Sequence, residues 1–251
     1  MIRFVYFFLL FSVISFRCTK NTEGDEDYTP RPYYHNLDPG SSARDFLSNT
    51  VYTSLKIEIQ YMPGLKPNPV TIDIFVNMLT ARLNKPEGIF IELKEIDPTL
   101  KTIFSINDIS GIESLNRTLF TNRDQLGAYI SIIDGAYYDG NVLALAYRNT
   151  SVCIFGEPLQ YFSGGVADDA KTKILAMLFM HEFGHLLGLV DMGTSMVADH
   201  KDDVNGNHCN DYSCLMHHTF EMNTRYAFTN FDDIPSLDIN CINDMRANGG
   251  K

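Results

Sequence analysis

Residues 181–188 read His-Glu-Phe-Gly-His-Leu-Leu-Gly. His181 and His185 are four positions apart, and on a helix that spacing stacks two side chains on one face. Two imidazoles so placed can hold one metal ion, and zinc suits neutral nitrogen ligands. Glu182, beside the first imidazole, sets a carboxylate where it can take a proton from a water at that metal. Ile174, Leu175, Leu178, Phe179, Leu186, Leu187 and Leu189 predict a buried helix over residues 167–190. Buried His and Glu side chains are costly unless paired or ligating, so the segment points to metal-assisted hydrolysis.

A catalytic zinc needs a third protein ligand and keeps a fourth position open. Three later side chains are candidates: Asp191, His200 and His208. Imidazole is the commoner third ligand, which favours His208 over Asp191 on ligand chemistry. The stretch from Asp199 to Asn207 also carries many hard oxygens, so Ca2+ is a second cation to test there. Lys201 stands at the first ligand position of the helix-loop-helix calcium pattern, which that loop therefore does not follow.

The elements that must position these residues alternate along the chain. Residues 55–61 alternate apolar and polar, the pattern of a half-buried strand. Ile72, Phe75, Val76, Leu79 and Leu83 form a helical stripe within 70–83. Strands are expected over 88–96, 127–133, 142–147 and 151–155, and helices over 108–120 and 234–245. Strand and helix alternate early and helices dominate late, which predicts an α+β fold, an α/β sandwich with a mixed twisted sheet. Residues 49–251 read as one compact domain, and residues 18–48, rich in Pro, Gly, Asp, Asn and Ser, as a polar tether.

Arg3 followed by the apolar run 4–16 fits a signal peptide over residues 1–17. That run ends at Cys18 and is followed by an acidic stretch, which resembles a bacterial lipoprotein signal with Cys18 as the lipidated residue, and the surface-export signals of Bacteroidetes lipoproteins. Phe16 and Arg17 depart from the small residues such signals favour. The resemblance implies an exported protein, held at a membrane by a lipid anchor or otherwise secreted. The formal net charge of −11 repels phosphate backbones and argues against nucleic acid as a partner.

The string through Gly188 resembles the metzincin clan of zinc metallopeptidases, whose motif runs His-Glu-x-x-His-x-x-Gly-x-x-His. Here Asp191 stands at the last histidine's place. The later string His208-Cys209-x4-Cys214-x-Met216 resembles the archaemetzincin signature, after an insertion of about 17 residues relative to the metzincin pattern. That resemblance implies zinc held by His181, His185 and His208, Glu182 as general base, and Met216 in a Met-turn beneath the metal. It also implies an antiparallel edge strand, 142–147 or 151–155, that binds extended peptide, and a monomeric endopeptidase acting on peptides or proteins. Some metzincins carry an oxyanion-assisting tyrosine two residues past that methionine, and His218 holds the place here. Archaemetzincins hold a second zinc with this cysteine pair and a later Cys-x-x-Cys, but Cys241 lacks the second cysteine. Disulfides Cys209–Cys214 and Cys153–Cys241, or free thiols, are the alternatives. A metzincin-like surface lipoprotein that binds peptide or glycan without cleaving it is the rival reading, although a binder has no need of Glu182.

Overall fold

The computed structural model describes residues 32–156, 168–220 and 234–251, so the expected signal peptide, Cys18 and the first part of the tether lie outside the described residues. A five-stranded sheet is built from β1 (Ser54–Tyr61), β2 (Gly88–Glu95), β4 (Gln125–Ile133), β6 (Ala144–Arg148) and β7 (Ser151–Phe155), in the order β2-β1-β4-β7-β6. β1, β2, β4 and β7 run parallel, and β6 returns antiparallel to β7 at one edge. A second, two-stranded sheet pairs β3 (Ile103–Phe104) with β5 (Ala136–Tyr137).

Parallel strands bury both faces, and helices must cover them. On one face Leu55, Ile57, Ile59, Ile130, Ile132, Val152 and Ile154 join the core with α2 (Pro69–Arg82) and α4 (Asp168–Leu186). Phe75 of α2 meets Phe179 and Phe183 of α4 with ring centroids 5.4 and 5.3 Å apart. On the other face Ile133, Cys153 and Phe155 pack with Ile109 of α3 (Ile106–Asn116). The alternation of β1 is therefore not a division between core and solvent. Glu58 and Gln60 are both fully buried, and the Thr118 and Leu119 amides beyond α3 donate to the Glu58 carboxylate at 2.9 and 2.8 Å.

Local signals set the helix ends. Asn68 caps α2, its side chain accepting from Thr71 N, with Pro69 at the first turn. Ser105 and Asp108 form a capping box at α3, which stops at Asn116, short of the expected Phe120. There Arg117 turns extended, and its buried guanidinium pairs with Glu113 at 2.7 Å. α5 (Ile239–Ala247) starts later than expected because Asp238 is its N-cap, accepting from Cys241 N.

The tether boundary is corrected. Residues 32–48 belong to the folded body, with a short helix α1 (Ala43–Leu47) whose Phe46 and Leu47 are fully buried. Phe46 packs edge-on against Phe183 of α4 at 5.3 Å, and Lys85 donates to the Asp45 and Tyr52 carbonyls, both at 2.7 Å. Two apolar residues inside a polar stretch are too short a pattern to mark a core segment from sequence.

Candidate metal centre

His181 and Glu182 are fully buried on α4, and His185 and His208 nearly so. The chain leaves α4 at Leu186 and turns at Gly188, whose φ is +71°. A Cβ there would also stand 2.7 Å from Thr194 N, so this turn needs glycine twice over. The turn sends Asp191 outward and lets the following loop return with His208.

His208 closes the group. Ring centroids lie 5.0 Å apart for His181 and His185, 5.4 Å for His181 and His208, and 5.1 Å for His185 and His208. One ring nitrogen from each lies within 4.8 Å of the others. The Nδ1 atoms are otherwise engaged: His181 with Leu215 O at 2.7 Å, His208 with Asn205 O at 2.8 Å, His185 with Met192 Sδ at 3.1 Å. A histidine whose Nδ1–H is so held presents Nε2 as its metal ligand. Three imidazoles so oriented fit a zinc ion.

Glu182 lies beside this group, and Ala146 N of β6 donates to its Oε2 at 2.7 Å. A cleft of about 320 Å³ opens there, lined by Leu145, Ala146, Glu182, His185, Met192 and His208 among others. β6, not β7, is the antiparallel edge bordering the cleft. Met216 is fully buried beneath α4. A Cβ on Gly184 would stand 2.2 Å from Met216 Sδ, so the glycine inside His-Glu-Phe-Gly-His is there for that sulfur. The Met216 carbonyl accepts from Cys209 N at 2.8 Å and ties the turn to the His208 segment.

The other candidates fall elsewhere. Asp191 is exposed and pairs with Lys201 at 2.9 Å. His218 is not among the residues lining the cleft; its ring centroid is 6.3 Å from that of His208, and its Nδ1 is 3.5 Å from Asp202 Oδ2. In the loop where calcium was a second cation to test, the Asp202 carboxylate accepts from Val204 N, Asn205 N and Asn205 Nδ2.

His200 belongs to a second group, with Cys209, Asp238 and Cys241, one donor atom from each lying within 4.8 Å of the others, and Cys214 adjoins it beside Cys241. His200 Nδ1 is 3.4 Å from Cys209 Sγ and 4.0 Å from Cys241 Sγ, and Cys214 Sγ is 3.7 Å from Cys241 Sγ. Tetrahedral zinc, with bonds of about 2.3 Å to sulfur and about 2.0 Å to nitrogen, sets its ligands about 3.5–3.8 Å apart. Asp244 Oδ2 holds the far nitrogen of His200 at 2.8 Å, as an outer carboxylate does for a ligand imidazole. The Cys214 and Cys241 thiols hydrogen-bond to Cys209 and hold it well below the usual thiol range, while Cys214 is pushed up to about 12.

Of the alternatives open for the cysteines, the structure has free thiols at all four described positions, and Cys153 lies on the α3 side of the sheet, in a different core cluster from Cys241. Sequence reasoning missed this second group because it sought a fourth cysteine after Cys241, whereas the fourth donor is His200, upstream of all three.

No protein-family model and no curated protein matches the sequence. Among solved structures the chain is similar to an archaemetzincin from Methanopyrus kandleri, with 14% identity and a TM-score of 0.51, over 78% of this chain and 96% of that one. It also matches metalloproteinase-II from Bacteroides fragilis, with 13% identity and a TM-score of 0.39, over 87% of this chain and 59% of that one, too low a score for a fold argument. The mixed α/β architecture is thus an archaemetzincin-like fold.

Proposed function

We propose that this protein is a zinc-dependent endopeptidase, with His181, His185 and His208 holding the metal. The observation that carries the reading is the convergence of three buried imidazoles beside Glu182, at an open sheet edge. Zinc in such a donor set acidifies water and polarises a carbonyl. The chain's own part is to hold and move the proton. Ala146 N fixes Glu182 Oε2, and the carboxylate so held takes the proton of the attacking water and delivers it to the leaving amine. An extended peptide adds as a strand along β6 and brings its scissile carbonyl to the cleft. In this reading the proton path runs through Glu182 alone, and His218, whose Nδ1 stands 3.5 Å from Asp202 Oδ2, is assigned no step in it.

A second, structural zinc held by His200, Cys209, Cys214 and Cys241 completes this reading. It locks the segment carrying His208 to α5 and replaces the single metal expected from the sequence. Export and anchoring through Cys18 stay part of the proposal, supported by the apolar run before that residue. If Cys18→Ser leaves the protein in the membrane fraction, the anchor is elsewhere.

The deciding experiment compares zinc content and peptide-library digestion of the native protein and Glu182→Gln. The variant should keep its zinc and lose about 10² or more in turnover. Undiminished hydrolysis by the variant, or none by the zinc-loaded native protein, would overturn the reading, the second outcome in favour of a peptide-binding role.

A further inference from the structure

We propose a further transition-metal site, of the zinc-binding kind, formed by Asp202, His217 and His218 on the outer side of the His208 loop. One donor atom from each of these three side chains lies within 4.8 Å of the others. His218 Nδ1 is buried and makes no hydrogen bond, although Asp202 Oδ2 is 3.5 Å away. That separation exceeds the 2.7–3.2 Å of an N–H···O bond. It matches two ligands of one tetrahedral ion, which stand about 3.4 Å apart when each bond is about 2.1 Å.

The rest of the group is prepared for the same task. His217 Nδ1 is held by Thr219, whose Oγ1 lies at 3.0 Å and whose N–H lies at 3.5 Å, so the ring is fixed in place. The Asp202 carboxylate is held by Val204 N and Asn205 N on Oδ1 and by Asn205 Nδ2 on Oδ2. Oδ2 keeps a second lone pair for a cation. All three residues are half-buried, so an ion can reach them from solvent. Two nitrogens and one carboxylate select zinc or a similar ion over calcium or magnesium.

Asp202 and His208 are joined through one residue. Asn205 donates from its side chain to Asp202 at 2.7 Å, and its carbonyl accepts from His208 Nδ1 at 2.8 Å. His217 and His218 follow Met216 directly. A cation here ties the loop that orients the third imidazole to the chain beyond the turn beneath α4. The site takes metal from excess zinc in the medium, after the two more deeply buried groups are filled.

The test is a zinc titration of the full chain, dialysed to its tightly bound zinc and followed with a chromophoric chelator. The native protein should take up one further equivalent. His217→Ala/His218→Ala should lose it, and Asp202→Asn should weaken it by at least about tenfold, since even outer partners of metal ligands contribute that much. Unchanged dialysed zinc content and circular dichroism keep the variants comparable. In His185→Ala, which removes a ligand of the proposed catalytic centre, the further equivalent should persist. This separates failure of the present site from failure of the peptidase reading. Equal uptake and equal affinity in the native protein and in Asp202→Asn would overturn the proposal, as would the absence of any further equivalent in the native protein.

Discussion

Gly184 offers the sharpest test of how the fold holds its metal helix. In Gly184→Ala the new Cβ would stand 2.2 Å from Met216 Sδ and 3.0 Å from its Cε. Ordinary contact is near 3.5–4.0 Å, so the sulfur must retreat by about 1.5 Å. Met216 is fully buried, and its carbonyl is bonded to Cys209 N at 2.8 Å, which leaves little room to retreat. Overpacking of this kind costs about 1–3 kcal/mol, against which alanine regains about 1 kcal/mol of helix propensity. Gly184→Ala should therefore destabilise the native protein by up to about 2 kcal/mol. In a Met216→Ala background the clash is gone and only the propensity gain is left, so the same change should stabilise by about 1 kcal/mol. Urea unfolding of the four proteins in this double-mutant cycle reads the sign directly. If Gly184→Ala stabilises in both backgrounds, Met216 does not pack where the structure places it, and the account of this turn fails.

Three further outcomes follow from the same geometry. His200→Ala should lower the tightly bound zinc from two equivalents to one by elemental analysis, because it removes the only nitrogen donor from the three thiols; two equivalents in the variant would refute the second centre. Burial raises the Glu58 carboxyl, but the donors from Thr118, Leu119 and Gln60 outweigh it and hold the group below its ordinary value. A carboxyl lowered on folding stabilises above its unfolded pKa and loses that contribution as pH falls through the folded one. Glu58→Gln should thus be less stable by about 1.5–3 kcal/mol at pH 7, with a smaller loss below about pH 4 than the native protein shows; parallel pH–stability curves would refute this. Phe46→Ala should cost about 3–5 kcal/mol in urea unfolding if residues 32–48 are core, and almost nothing if they are tether.

What could be read from the sequence was the short-range part. His181, Glu182 and His185 are fixed by one helical turn, so their spacing alone states their common face. An alternating run located β1, and short strand-like runs located β2, β4, β6 and β7, to within a few residues. The harder features depend on contacts between distant segments. The half-buried reading of β1 failed because α3 and the turn after it cover the second face and satisfy Glu58, which no local pattern announces. His208 was placed in the first metal group through a resemblance, and the structure reaches the same grouping through the turn at Gly188. His200 was considered for that same group. Its actual partners, Cys241 and Asp244, come more than 40 positions later on α5, brought back when that helix docks under the loop.

The two buried groups are coupled by covalent adjacency, since His208 belongs to one and Cys209 to the other. A peptide bond joins neighbouring residues so closely that ordering the thiol cluster also restricts where the third imidazole can stand. The insertion between Gly188 and His208 would otherwise leave that imidazole on a long loop, with an entropic cost to holding it in place. The bonds from Asp202 through Asn205 to His208 restrain the same loop from its outer side. In this architecture the position of the His208 imidazole is set by its neighbours, whereas that of His181 and His185 is set by the helix itself. Metal affinity should therefore fall more steeply on loss of the thiol cluster than the unchanged His181, His185 and His208 would suggest.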